Sequence, residues 1–215
     1  MPVTPTFRRA LVGLALTAIT LLAPVAPAWA DDPKTMITTY PTSAQEDDLA
    51  RGEIVVGMVN RHPVYHMDVY GVVDAPYDVV WKAVTSYDDY KTFLPLVVES
   101  AVRKRTQAFT DQWVRMRPPW PLHDHYMVNR HTENRAKGTL AWTMTPGGET
   151  NLRYERGYWQ VNPMGPTRTR LQYHLTVDPW LDIVPGWLIE FATRTVLPDV
   201  IKGVRKRVKA DPVRG

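Results

Sequence analysis

His123 and His125 stand two residues apart with Asp124 between them. On a strand both rings would face one way, within reach of one metal ion or one shared proton. Histidine is also the side chain that moves protons near neutral pH. For a metal, Asp111, His131 and His174 are the available third ligands, and none stands at a telling distance. There is no His-Glu-x-x-His pattern and no cysteine, so the spacing predicts neither a metal site nor a thiolate nucleophile. Two readings of the pair stay open: an acid–base couple on a small-molecule enzyme, or rim histidines held by hydrogen bonds in a loop. Ser43, Ser86 and Ser100 are the only serines, and none lies in a Gly-x-Ser-x-Gly elbow. Gly147-Gly148 belongs to a hairpin turn and not to a phosphate loop, so no cofactor is expected.

Those histidines end a run in which Pro118, Pro119 and Pro121 surround Trp120. Proline fixes φ and removes backbone donors, so the run predicts a stiff excursion at a sheet rim. Trp120, Leu122, His123 and His125 are candidate gate residues. The Pro- and Trp-bearing stretch from Trp180 to Trp187 is the candidate opposite lip. Other aromatics fall on strand-like segments. Trp113, Trp142, Trp159 and Tyr173 are expected to line a concave face, with Arg115, Arg153 and Glu190 as its scarce polar contacts. Each ligand methylene such a face shelters contributes roughly 0.8 kcal/mol.

The elements that would position these residues follow from periodicity. Strands are expected over 52–60 and 63–73. A helix follows, with Asp74 as N-cap and Pro76 in its first turn, ending near Ser86. A second short helix spans Tyr87 to Phe93, before Pro95. Period-two segments then run over 98–106, 111–117, 126–132, 138–145, 152–161 and 167–177, with Pro146-Gly147-Gly148 as the clearest turn. A long helix is expected from about Gly186 to Val208, because Ile189, Val196, Val200, Val204 and Val208 keep one apolar face. Pro198 should kink it.

The first thirty residues read as a signal peptide. Arg8 and Arg9 precede an apolar run, and Ala28-Trp29-Ala30 offers a cleavage site before Asp31. The expected division is a signal peptide over 1–30, a flexible leader over 31–50 and one domain over 51–210, in a periplasmic or secreted protein. Loss of Arg8 and Arg9 lowers the formal charge of +4 by two. The basic cluster Lys202, Arg205, Lys206, Arg207 and Lys209 is too local for a nucleic-acid footprint. It suits a helix end, or a transient contact with an anionic membrane surface. Oligomeric state is not readable.

Several stretches resemble the START-type lipid-transfer and polyketide cyclase superfamily (SRPBCC, Bet v 1-like). They are Asp74-Ala75-Pro76-Tyr77-Asp78-Val79-Val80-Trp81, Ser86-Tyr87-Asp88-Asp89-Tyr90-Lys91-Thr92-Phe93-Leu94-Pro95, Pro119-Trp120-Pro121-Leu122-His123-Asp124-His125-Tyr126, Gly157-Tyr158-Trp159 and Thr169-Arg170-Leu171-Gln172-Tyr173. At His125 and Tyr126 the chain departs from the Arg-Asp usual in START relatives. The resemblance implies an α+β helix-grip fold: a curved antiparallel β-sheet gripping a long C-terminal α-helix, with short N-terminal helices. It implies binding and transfer of a lipid or other large apolar ligand, of sterol, polyprenoid, acyl or pigment type. The alternatives are a cyclase or dehydratase using the rim histidines, and a noncatalytic interaction module with a closed pocket.

Overall fold

The computed structural model describes residues 36–145, 150–178 and 184–210. The chain opens with helix α1 (Ser43–Ala50) and the hairpin β1 (Val55–Arg61) and β2 (Val64–Val73). Helix α2 (Tyr77–Thr85), a 3-10 turn over Tyr87–Asp89 and the one-turn helix α3 (Tyr90–Phe93) follow. A meander comes next: β3 (Val97–Arg105), β4 (Thr110–Met116), β5 (His125–Asn134), β6 (Thr139–Met144), β7 (Tyr154–Pro163) and β8 (Thr169–Asp178). All strands pair antiparallel in one eight-stranded sheet of order β1-β2-β8-β7-β6-β5-β4-β3. The C-terminal helix α4 (Gly186–Phe191) passes through a wider π turn, Ala192–Val196, into α5 (Leu197–Ala210).

This is the expected helix-grip architecture. Val200, Ile201, Val204 and Val208 of α5 are buried in the main core with Val69, Trp81, Leu140, Trp159 and Leu171. The π turn lies immediately before Pro198. Proline cannot donate to the carbonyl one turn back, and a local widening absorbs that mismatch. Two approaches are close enough to require glycine. A side chain at Gly71 would collide with Ile201, and one at Gly203 with the Phe93 carbonyl, so α5 lies hard against β2 and α3.

Two local expectations differ from the structure. Pro76, not Asp74, is the N-cap of α2, and no side chain caps it. Asp74 instead pairs with Arg168 at 3.3 Å. The leader is also less loose than its composition suggests. Thr42 caps α1 in a capping box with Gln45. Ahead of it, residues 36–42 cross the convex side of the sheet. The Thr39 amide donates to Asp68 Oδ2 at 2.8 Å, and Tyr70 Oη donates to the Thr39 carbonyl at 2.8 Å. Gly57 makes room, since a side chain there would strike Thr39. The expected turn Pro146-Gly147-Gly148 and the signal segment lie outside the described residues.

Candidate functional site: a cavity between helix and sheet

The concave side of β4, β5, β6, β7 and β8 meets the C-terminal helix around a cavity of about 90 Å³, set in a cleft that opens to solvent. Val196, Leu197 and Val200 form the helix wall. Leu94, Pro95, Val97 and Met116 border it at one end of the sheet, and Trp142, Trp159 and Tyr173 form the aromatic wall. The Tyr173 ring meets Trp142 at 5.2 Å and Trp159 edge-on at 4.6 Å. These offset and tilted geometries suit aromatic quadrupoles and keep the wall rigid. Among the described residues, no lysine, arginine or histidine lines the cavity.

Of the expected lining residues, Trp142, Trp159 and Tyr173 are brought together here. Trp113 and Arg115 are not. Gln112, Val114 and Met116 face the cavity, so by strand alternation Trp113 and Arg115 point to the convex side. There the Arg103 guanidinium lies 5.4 Å from the Trp113 ring centroid, and Arg115 pairs with Glu99 and Asp124. Arg153 is exposed ahead of β7. Glu190 is exposed on α4, paired with Arg194 at 3.3 Å. Neither reaches the cavity.

The gate residues are partly placed. The loop that follows Met116 abuts the end of the sheet where the cavity lies, with the Arg117 amide donating to the Leu96 carbonyl at 2.7 Å. Leu96 is held at φ 63°, a strained value for leucine. Trp120 is 90% exposed, His123 is exposed, and Leu122 and His125 are half-buried. Burial, partly offset by Asn151 and Asp124, holds the His125 imidazole below its ordinary pKa. Neither His123 nor His125 lines the cavity. Trp187 is exposed at the start of α4, and Trp180 lies outside the described residues. Among the described residues, no group of three His, Asp or Glu is placed to hold a metal ion.

The polar residues of the wall are ones that the sequence reading missed. Glu155 is buried, with Oε1 accepting from Asn129 Nδ2 at 3.0 Å and Trp142 Nε1 at 3.3 Å. Burial pushes its carboxyl above the ordinary range, against the pull of those two donors. Gln112 bridges the Tyr87 carbonyl and Ser100 Oγ, each at 2.7 Å. His131 Nε2 donates to Gln112 Oε1 at 2.8 Å. Burial drives the His131 pKa down to about 3, so this ring is neutral. Glu155 shares its strand phase with Gly157, Trp159 and Val161. That phase is the signal that could have found it.

Known proteins place this arrangement. The profile of the "Polyketide cyclase / dehydrase and lipid transport" family matches residues 66–211. The chain belongs to that family, within the START-like superfamily. Its general function is the superfamily's: binding or transfer of a lipid or other hydrophobic ligand. Solved structures share the fold. A STAR-related lipid transfer protein from Xanthomonas axonopodis is 20% identical, with TM-score 0.61, over 73% of this chain and 93% of that one. The Zhui aromatase/cyclase from Streptomyces sp. R1128 is 14% identical, with TM-score 0.56, over 69% of this chain and 95% of that one. A START superfamily protein from Mycobacterium smegmatis is 15% identical, with TM-score 0.53, over 73% and 97%. No curated protein matches the chain.

Proposed function

We propose that the protein is a noncatalytic carrier, exported after cleavage behind Ala30, that shelters an apolar ligand between its C-terminal helix and the sheet. The observation that carries this reading is the aromatic and aliphatic cavity under α5, which no cation or rim histidine lines among the described residues. The cavity of about 90 Å³ lies in a cleft that opens to solvent, and loading of a sterol or acyl chain would widen it by moving the helix. The π turn at Ala192–Val196 is the natural place, because Val196 lines the cavity and π segments mark mobile or functional helix positions. Trp120 at the loop tip would touch the membrane or partner that supplies the ligand, with Trp187 as a second apolar contact. The test is organic extraction and mass spectrometry of protein purified from its exporting host, together with sequencing of its N-terminus. A stoichiometric apolar ligand and a first residue of Asp31 are expected. Protein that is empty and takes up no apolar probe would overturn the carrier.

One observation favours the cyclase or dehydratase alternative. Glu155 is a buried carboxyl with a raised pKa inside an aromatic cavity, which is what a general acid needs. Turnover of a polyketide-like substrate that Glu155→Gln abolishes would establish that reading.

A further inference from the structure

Gln112, Asn129 and Glu155 are the amide and carboxyl side chains of the cavity wall. Gln112 is saturated: its Nε2 serves Tyr87 and Ser100, and its Oε1 serves His131. The other two are not. Asn129 is 5% exposed, and its Nδ2 is spent on Glu155 Oε1. Its Oδ1 is buried with no hydrogen-bond partner. Glu155 Oε1 takes both Asn129 and Trp142, while Oε2 makes no hydrogen bond among the described residues. An orphan acceptor at 95% burial calls for an explanation, since buried polar atoms are almost always satisfied.

We infer that Asn129 and Glu155 form a subsite for the hydroxyl group of a neutral, otherwise apolar ligand. The inference rests on the cavity-binding reading above and adds the chemistry of the ligand's polar end. In a neutral carboxyl the oxygen that accepts both donors is the carbonyl one, which leaves the O–H on Oε2. No cation lines the cavity and none pairs with Glu155 among the described residues, so the neutral form is the one this site accommodates. A ligand hydroxyl can accept from Oε2–H and donate to Asn129 Oδ1 at once. A ketone or ester can only accept, and leaves Oδ1 orphaned. A carboxylate or phosphate would bring an unneutralised charge into an apolar wall. The site therefore selects alcohols or phenols over fatty-acid anions and phospholipid head groups.

The experiment is a matched series with one ten-carbon skeleton: n-decanol, methyl octyl ketone and decanoate, titrated into the full-length mature protein at neutral pH by tryptophan emission and calorimetry. Decanol should bind about tenfold tighter than the ketone, the worth of one hydrogen bond. It should bind at least about a hundredfold tighter than decanoate. Asn129→Leu should erase the preference of alcohol over ketone. Equal affinity for decanol and the ketone, or tightest binding of decanoate, would overturn the hydroxyl subsite and leave cavity binding standing. Failure of all three probes to bind would overturn both. The wild-type ranking decides the matter even if Asn129→Leu does not fold.

Discussion

On β2 and β8 the convex side of the sheet buries Asp68, His174 and Thr176. On β5 and β7 the concave side buries Asn129 and Glu155. The two sets are similar in chemistry and opposite in completeness. Asp68 Oδ2 accepts from the Thr39 amide and hydroxyl at 2.8 and 3.0 Å, and Oδ1 meets His174 Nδ1 at 2.9 Å and Gln172 Nε2 at 3.0 Å. His174 Nε2 continues to Thr176 Oγ1 at 3.0 Å. The line Asp68–His174–Thr176 has the hydrogen-bond order of a catalytic triad. All its members have 0% exposure, and the strap over residues 36–42 covers them. A sealed network of this kind fixes structure. The cavity pair has an open acceptor and an open carboxyl oxygen, and open valences are what a ligand completes.

Removing a member of each set tests this contrast. Asp68→Ala should cost about 3–5 kcal/mol in chemical denaturation, because it orphans several buried groups together. Glu155→Gln should change stability by no more than about 1 kcal/mol. Equal losses would erase the distinction between the two faces. Val200→Asp, which puts a carboxylate on the buried face of α5, should cost about 3 kcal/mol or more by the same measurement. Unchanged melting would mean that the helix does not seal the cavity.

Asp68 and Glu155 should also respond oppositely to pH. Burial works to raise the Asp68 carboxyl, but His174, Thr39 and Gln172 outweigh it and hold it below its ordinary 3.8. Its stabilisation is present above that value and is lost as pH falls through the depressed folded value. His131 adds to the acid limb, since its depressed pKa of about 3 makes stability fall as pH drops below 6.5. Glu155 is raised from 4.5. Its contribution is full below 4.5 and is lost as pH rises through the folded value. Melting curves across pH should therefore keep only the His131 part of the acid sensitivity in Asp68→Asn and lose the high-pH decline in Glu155→Gln. Matching profiles would show that the two carboxyls do not differ electrostatically.

Smaller effects sharpen the comparison further. Trp142→Phe removes one donor from Glu155 and should cost about 1 kcal/mol, while retaining most of the aromatic wall. Trp120→Ser should leave stability within about 0.5 kcal/mol. It should slow ligand transfer between vesicles, measured by donor–acceptor fluorescence. An unaltered rate would remove Trp120 from the account of ligand exchange.

The elements were legible because periodicity is local. Val200, Val204 and Val208 mark the buried face of α5 from spacing alone, and Leu140 and Trp142 carry the phase of β6. The phase of β4 was not legible. Its two sides, Gln112-Val114-Met116 and Trp113-Arg115, are both mixed, and a slip of one residue exchanges them. Tryptophan drew the reading to the wrong side. Glu155 was hidden by its neighbours Arg153 and Arg156, which make the segment look solvated. The strap could not be read either. Its order depends on Asp68 and Tyr70, which are distant in sequence, and residues 36–42 have no period of their own. The lining of a cavity depends on such long-range choices, whereas a helix or strand mostly does not.

The sheet order has a consequence in time. Strand β2 pairs with β8, joining Tyr65 to Val177 and Val73 to Thr169, whereas β3 through β8 each pair with the next strand in the chain. The meander can zip by short steps, but the β1–β2 hairpin must keep a bare edge until the last strand arrives. Closing so long a loop carries an entropic cost before any pairing repays it. The rate-limiting event of folding should be capture of β8 by β2, with α5 settling onto β2 only afterwards. A chain emerging from its N-terminus would remain open, and threadable through a narrow channel, until nearly all of it has been delivered.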